Sequence, residues 1–162
     1  MAKVTTTRTI NASAEDVWAS LDDYGGIADW NENLAASRIL PGSAATGLGA
    51  KRQCDLKADG SAYLRETITE YVPGRKLGLV IDETTMPMKG ASCLFEVKPK
   101  GANRSEIVFT MDFQPPMGPI GWLMLPMMKP MLRGKMAKAL EGNARYVEGT
   151  AERARPHSTV AA

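Results

Sequence analysis

The hydrophobic repeat of this chain changes once, at Pro115-Pro116, and that change constrains the fold more than any other feature. Before it, apolar residues recur at every second position. After it, they recur every three to four. The clearest run lies just before the break, where Ile107, Phe109, Met111 and Phe113 alternate with Val108, Thr110, Asp112 and Gln114. One face is therefore buried and the other largely wet. Ala91, Cys93, Phe95 and Val97 repeat the pattern in the run at 89–98. Beyond the break, Leu125, Met128, Leu132, Met136, Ala139, Leu140, Asn143 and Val147 share one helical face, and Lys138, Glu141, Arg145 and Glu148 point away from it. A sheet with one apolar face needs a cover, and the helix predicted to run to about residue 152 is the one element large enough.

The rest of the chain fits this plan. Strands are predicted at 34–40, 48–57, 62–72, 76–85, 89–98 and 105–114, preceded by a Thr- and Val-rich strand from Lys3 to Ile10. Pro41-Gly42, Asp59-Gly60, Pro73-Gly74, Met86-Pro87 and Pro99-Lys100-Gly101 separate them, and connections this tight imply an antiparallel meander. Ser13 to Asp16 carries a capping pattern that opens a short helix with Val17 and Leu21 on one face. Gly25-Gly26 interrupts it, and a second helical turn is expected over Ile27 to Asn31. One domain spanning 1–152 follows, of the α+β class, with a disordered tail expected at 153–162. The facing of the strand at 76–85 stays open at this stage. Leu77, Leu79 and Ile81 mark one side, Val80 and Asp82 the other.

Composition excludes several classes. A net charge of +2 with scattered Lys and Arg gives no basic stripe for nucleic acid. The two cysteines, Cys54 and Cys93, have no metal-ligand spacing and do not make a disulfide scaffold, so both are expected reduced. No apolar signal region follows Met1, and no run reaches the roughly 18 apolar residues of a membrane span. A cytoplasmic protein is expected. The one histidine, His157, lies in the tail, leaving no histidine for a triad or a metal site in the fold, and no phosphate or dinucleotide fingerprint is present. Neither a metal nor a cofactor is expected.

Four stretches in order resemble the START/Bet v 1-like superfamily, in particular its polyketide cyclase/dehydrase-like branch. They are Ile10 to Trp18, then Tyr24 to Trp30 with Gly47 to Arg52, then Leu64 to Leu77. The resemblance covers residues 3–150. It implies a helix-grip fold, a curved seven-stranded antiparallel sheet wrapped around the C-terminal helix, with two short helices between the first two strands. It also implies a cavity between sheet and helix that holds lipids, sterols, hormones, flavonoids or polyketide intermediates.

Glu66 shares a side of its strand with Leu64 and Ile68. In the related plant abscisic-acid receptors the glutamate that begins the corresponding stretch lines the ligand pocket. An inward Glu66 is either a ligand acceptor or general acid/base, or a carboxylate paired with Arg or Lys. Arg52, Cys54 and Leu56 face inward by the same alignment, and the relatives suggest Val80 and Asp82 in the pocket, against the side that Leu77, Leu79 and Ile81 mark. Arg52 would neutralise Glu66, hold an anionic ligand group, or snorkel at the cavity rim. Cys54 and Cys93 read as small apolar wall residues. Trp30 is expected to close one end of the cavity. Met88 falls where relatives carry a gating loop, or is a simple turn residue. Tyr63 and Tyr71 fall on the face opposite Glu66. Cys93, Phe95, Phe109, Met111 and Phe113 from the sheet, with Met128, Leu132 and Met136 from the helix, complete the expected lining.

The segment Ile120 to Leu132 is apolar nearly all round and contains Pro126 and Pro130. Either proline can start the main helix or kink a longer one, and a short helix before Pro126 is expected. The segment is either wedged against loops or an exposed apolar patch, namely a cavity portal, a dimer contact or a membrane-touching lip. Three functions follow. The first is binding of a small hydrophobic molecule. The second is a cyclase or dehydratase that moves a proton with Glu66. The third is a protein-interaction module using 120–132.

Overall fold

Left-handed backbone at Gly42, Gly60 and Gly74 (φ +80°, +72° and +76°) reverses the chain at three of the turns marked in the sequence. The computed structural model describes residues 1–154. The chain runs β1 (Ala2–Ile10), α1 (Ala14–Asp22), a 3-10 turn (Tyr24–Asp29), β2 (Ala36–Ile39), β3 (Lys51–Asp55), β4 (Tyr63–Val72), β5 (Lys76–Thr84), β6 (Lys89–Gly101), β7 (Arg104–Gln114) and α2 (Pro119–Ala154). The strands form one seven-stranded antiparallel sheet in the order β1-β7-β6-β5-β4-β3-β2. The long helix packs on β1, β7 and α1, and the core lies between sheet and helix. This is the expected helix-grip fold.

Local chemistry explains the boundaries. The Ser13 hydroxyl caps α1 by accepting from the Asp16 amide at 3.1 Å. The first helix ends at Asp22, ahead of Gly25-Gly26, which lie inside the 3-10 turn; that turn spans Tyr24–Asp29 rather than Ile27 to Asn31. The strand expected from residue 48 begins at Lys51, after the left-handed turns at Gly47 and Gly49 (φ +91° and +84°). In β5 the side chains of Leu77, Leu79 and Ile81 are buried while Val80 and Asp82 are exposed, so periodicity gives the correct facing.

Two expectations are corrected. Register shifts within β4, one of them between Ile68 and Glu70, pair Tyr71 with Leu77, on the side that Ile68 and Leu79 share. Tyr71 therefore shares a face with Glu66, packs against Trp18 at 5.6 Å and donates its hydroxyl to Asp22 at 2.7 Å. The separate short helix expected before Pro126 does not form. Both prolines lie inside one continuous helix. Their missing amides free the carbonyls of Trp122 and Pro126, which belong to exposed residues of the helix, where water can satisfy them. The helix continues through Arg153 and Ala154, the start of the expected tail, and the remainder of that tail, His157 included, lies outside the described residues.

Candidate functional site

Direct pairing of Arg52 on β3 with Glu66 on β4 places the two side chains side by side on the inner face of the sheet. Both are buried, at 3% and 6% exposure. Nε and Nη2 of Arg52 each reach Glu66 Oε2 at 2.7 Å, and Nη1 donates to the backbone carbonyl of Tyr24 at 2.7 Å. The guanidinium also lies 4.1 Å from the centre of the Tyr24 ring, and the Tyr24 hydroxyl donates to the Glu66 backbone carbonyl at 3.2 Å. Arg52 is thus locked inside the fold and does not snorkel at a rim. Burial disfavours its charge, but Glu66 together with Cys54 and Tyr24 outweighs that and holds its pKa above the ordinary value.

The thiols beside this pair are inert. Burial pushes the Cys54 pKa up to about 11, with Arg52 opposing, and burial raises that of Cys93 as well. The Tyr24 hydroxyl is raised by burial in the same way. At neutral pH the neighbourhood contains two protonated thiols, a protonated phenol and one ion pair. Among the described residues no group of three or more His, Cys, Asp or Glu could hold a metal ion.

The Arg52–Glu66 pair forms part of the wall of a cavity of about 410 Å³ between the sheet and α2. Of the expected site residues, Arg52, Cys54, Glu66, Met88, Cys93, Phe95, Phe109, Met111, Leu132 and Met136 line it. Phe95 and Phe109, opposite each other on β6 and β7, stack at 4.2 Å and form an aromatic section of wall. Three expected residues lie elsewhere. Trp30 turns its indole toward α1, donating to the Ser20 carbonyl at 3.3 Å, so Ile27 and Asn31 face the cavity instead. Phe113, opposite Ala2, is fully buried in the core. Met128 packs half-buried against the core one turn before Leu132.

Sequence reasoning missed part of the polar lining. Asn31, Asn33, Lys57 and Lys135 stand around the cavity, and the Asn33 side chain donates to the Lys135 backbone carbonyl at 2.9 Å, tying the loop after the 3-10 turn to α2. No local pattern marks these loop residues, because α2 alone brings Lys135 to them. Leu79 and Ile81 were foreshadowed by the alternation in β5.

A curved antiparallel sheet closed by a long helix over a cavity defines a helix-grip domain. The chain belongs to the family described as polyketide cyclase / dehydrase and lipid transport, whose model matches residues 1–148. Solved structures agree on the fold. A protein from Thermus thermophilus superposes with a TM-score of 0.76 at 16% identity, covering 93% of this chain and 99% of that one. A START superfamily protein from Mycobacterium smegmatis gives 0.67 at 17% identity, covering 94% and 99%. Truncated norcoclaurine synthase from Thalictrum flavum gives 0.68 at 13% identity, covering 90% and 92%. No curated protein matches the chain in sequence.

Proposed function

We propose that this chain binds a small, largely apolar molecule in the cavity between its sheet and α2, and that the molecule carries a hydrogen-bond donor. The observation behind this reading is the geometry of Glu66. Both Arg52 bonds and the contact of the Cys54 thiol at 3.9 Å converge on Oε2. Oε1 accepts no hydrogen bond among the described residues, although its carboxylate is in the cavity wall. A ligand hydroxyl or N–H would satisfy it, with Phe95, Phe109, Met111 and Met136 taking up the apolar body. An anionic ligand group fits poorly, since Glu66 and the Tyr24 carbonyl already occupy Arg52.

The cyclase or dehydratase reading uses the same open oxygen as a proton acceptor. It is the weaker one, because none of the described groups beside Glu66 is a ready second proton carrier. The neighbouring thiols are held protonated, and the Tyr24 hydroxyl is committed to the Glu66 carbonyl. Two free, buried cysteines suit a reducing compartment, and a cytoplasmic location belongs to this proposal.

Native mass spectrometry of the freshly purified chain, followed by identification of anything released on denaturation, tests the reading. The expected result is a discrete bound mass with a donor group and an apolar body, weakened by Glu66→Gln and absent from the cavity-filling variant Met111→Trp. A clean apo mass that persists after incubation with lipids, sterols and aromatic polyketides would overturn it. Turnover of a bound polyketide that Glu66→Gln abolishes would replace it with the cyclase reading.

A further inference from the structure

The polar groups of the cavity wall are of opposite kinds at its buried and exposed parts. At the buried part, Glu66 Oε1 is an acceptor without a donor among the described residues, and Arg52 is spent on Glu66 Oε2 and the Tyr24 carbonyl. At the exposed part the unused groups are donors. Lys57 and Lys135 line the cavity and are exposed, so the wall they form reaches solvent. Lys135 flanks Leu132, Met136 and Ala139, the other residues of α2 that line the cavity. Neither lysine makes an ion pair among the described residues. The side-chain oxygen of Asn31 accepts from Asn33 at 3.0 Å, which leaves the Asn31 amide nitrogen as a further donor in the wall.

The carboxylates near these lysines are engaged elsewhere. Glu32 pairs with Lys138 and Arg145, Asp55 pairs with Arg38, and Asp59 accepts from Ser61. Glu66 is the one carboxylate among the lining residues. The two parts are also well separated. From Arg52 to its end at Asp55, β3 advances about 10 Å at the rise of a strand, and Leu56 and Lys57 follow. Cys54 and Leu56 line the cavity along that path.

We propose that Lys57 and Lys135 form a second polar subsite, which takes the carboxylate of an anionic amphiphile while a hydroxyl at the far end of the same molecule donates to Glu66 Oε1. The inference rests on the cavity reading and narrows its ligand to a chain-like acid whose donor is remote from its carboxylate. The anion that finds no free donor at Arg52 stays beside exposed ammonium groups and water, where its charge costs little. The reverse orientation sets a carboxylate against Glu66, and two like charges in one buried wall repel.

Isothermal titration calorimetry of the full chain tests this, with 12-hydroxydodecanoate, 1,12-dodecanediol and their homologues of eight to fourteen carbons. The acid is expected to bind roughly tenfold tighter than the diol of its length, two exposed charge contacts being worth about that much. The advantage should shrink as salt rises. Lys57→Met with Lys135→Met should bring the acid down to the affinity of the diol, and Lys57→Arg with Lys135→Arg should keep it above. Glu66→Gln should weaken 12-hydroxydodecanoate more than dodecanoate, which has no hydroxyl. Equal affinity for acid and diol at every length, or an acid advantage that survives the double methionine variant, would overturn the inference and leave the cavity reading standing. Dodecanoate bound more tightly after Glu66→Gln would do the same, by setting the anion at Arg52. Binding of neither series, or binding that Met111→Trp leaves intact, would overturn the cavity reading and this inference with it.

Discussion

At the scale of residues, the energetics of this protein turn on how Arg52 and Glu66 share a buried wall. Taking either charge out of water is costly, and the pair is tolerable because each partner is bonded to the other. Arg52→Met would leave Glu66 buried without its cation and is expected to cost about 3–5 kcal/mol in urea unfolding. Adding Glu66→Leu to that variant should restore most of the loss, since a well-packed apolar pair removes both desolvation penalties. A double variant as unstable as Arg52→Met alone would show that packing, not charge, makes the pair matter. The cysteines supply a pH dependence of definite sign. Cys54 titrates near 9 when unfolded and near 11 when folded, so the native state keeps a proton that the unfolded chain loses between those values. Stability is complete below about pH 9 and should decline from there to about 11, by an amount of order 2 kcal/mol from Cys54. Buried Cys93 acts in the same direction. Unfolding midpoints measured across that range should fall less steeply in Cys54→Ala. The inward side of Glu66 and Arg52 was legible in strand alternation, yet their bond was not, because alternation gives the face of a residue and not its partner across the sheet.

At the scale of elements, the helix α2 is two different structures in one rod. Its C-terminal part is gripped closely: a Cβ at Gly142 would meet the Trp30 carbonyl at 2.0 Å, so helix backbone there lies directly on the end of the 3-10 turn. Gly142→Ala must push the helix off that contact and is expected to destabilise by about 2–4 kcal/mol, visible as a lower urea midpoint. The N-terminal part is held loosely. Two prolines remove ladder bonds, and most of its apolar side chains touch water. Amide hydrogen exchange should therefore be faster over 120–134 than over 136–147, and equal protection in both halves would contradict this division. Periodicity anticipated the gripped half well, since Met136, Ala139, Leu140, Asn143 and Val147 are all buried as that pattern requires. It misjudged the other half because the cost of proline depends on whether the freed carbonyl meets water, which sequence alone does not state. The same limit hid the irregularity in β4. No Gly or Pro marks Thr69 or Glu70, and the register shift that brings Tyr71 inward is imposed by pairing with β5.

For the whole molecule, the cavity is at once the proposed function and a deficit in stability. A hollow lined by Phe, Met and Leu forgoes the dispersion contacts that a filled core would make, and the sheet curves around α2 without closing that space. The overall plan was readable because it follows from two periodicities and one covering element; the hollow was implied by the family resemblance alone, and its size, set by how far α2 stands from the sheet, was not readable. Two opposite consequences follow for Met111→Trp, whose larger ring would enter the hollow from β7. In the absence of ligand this variant should unfold no earlier than the unmodified chain, because new contacts replace empty space. In the presence of a ligand at about a hundredfold excess over its Kd, the unmodified chain should gain about 2.7 kcal/mol, or roughly 5–10 °C in Tm. The filled variant should gain nothing. Thermal melts of both chains, with and without the molecule released from the native complex, separate the possibilities. An equal ligand-induced rise in the two would mean that the molecule binds outside the cavity. A variant that melts far below the unmodified chain without ligand would mean that the space is too narrow to accept a Trp ring, and so too narrow for the class of ligand proposed.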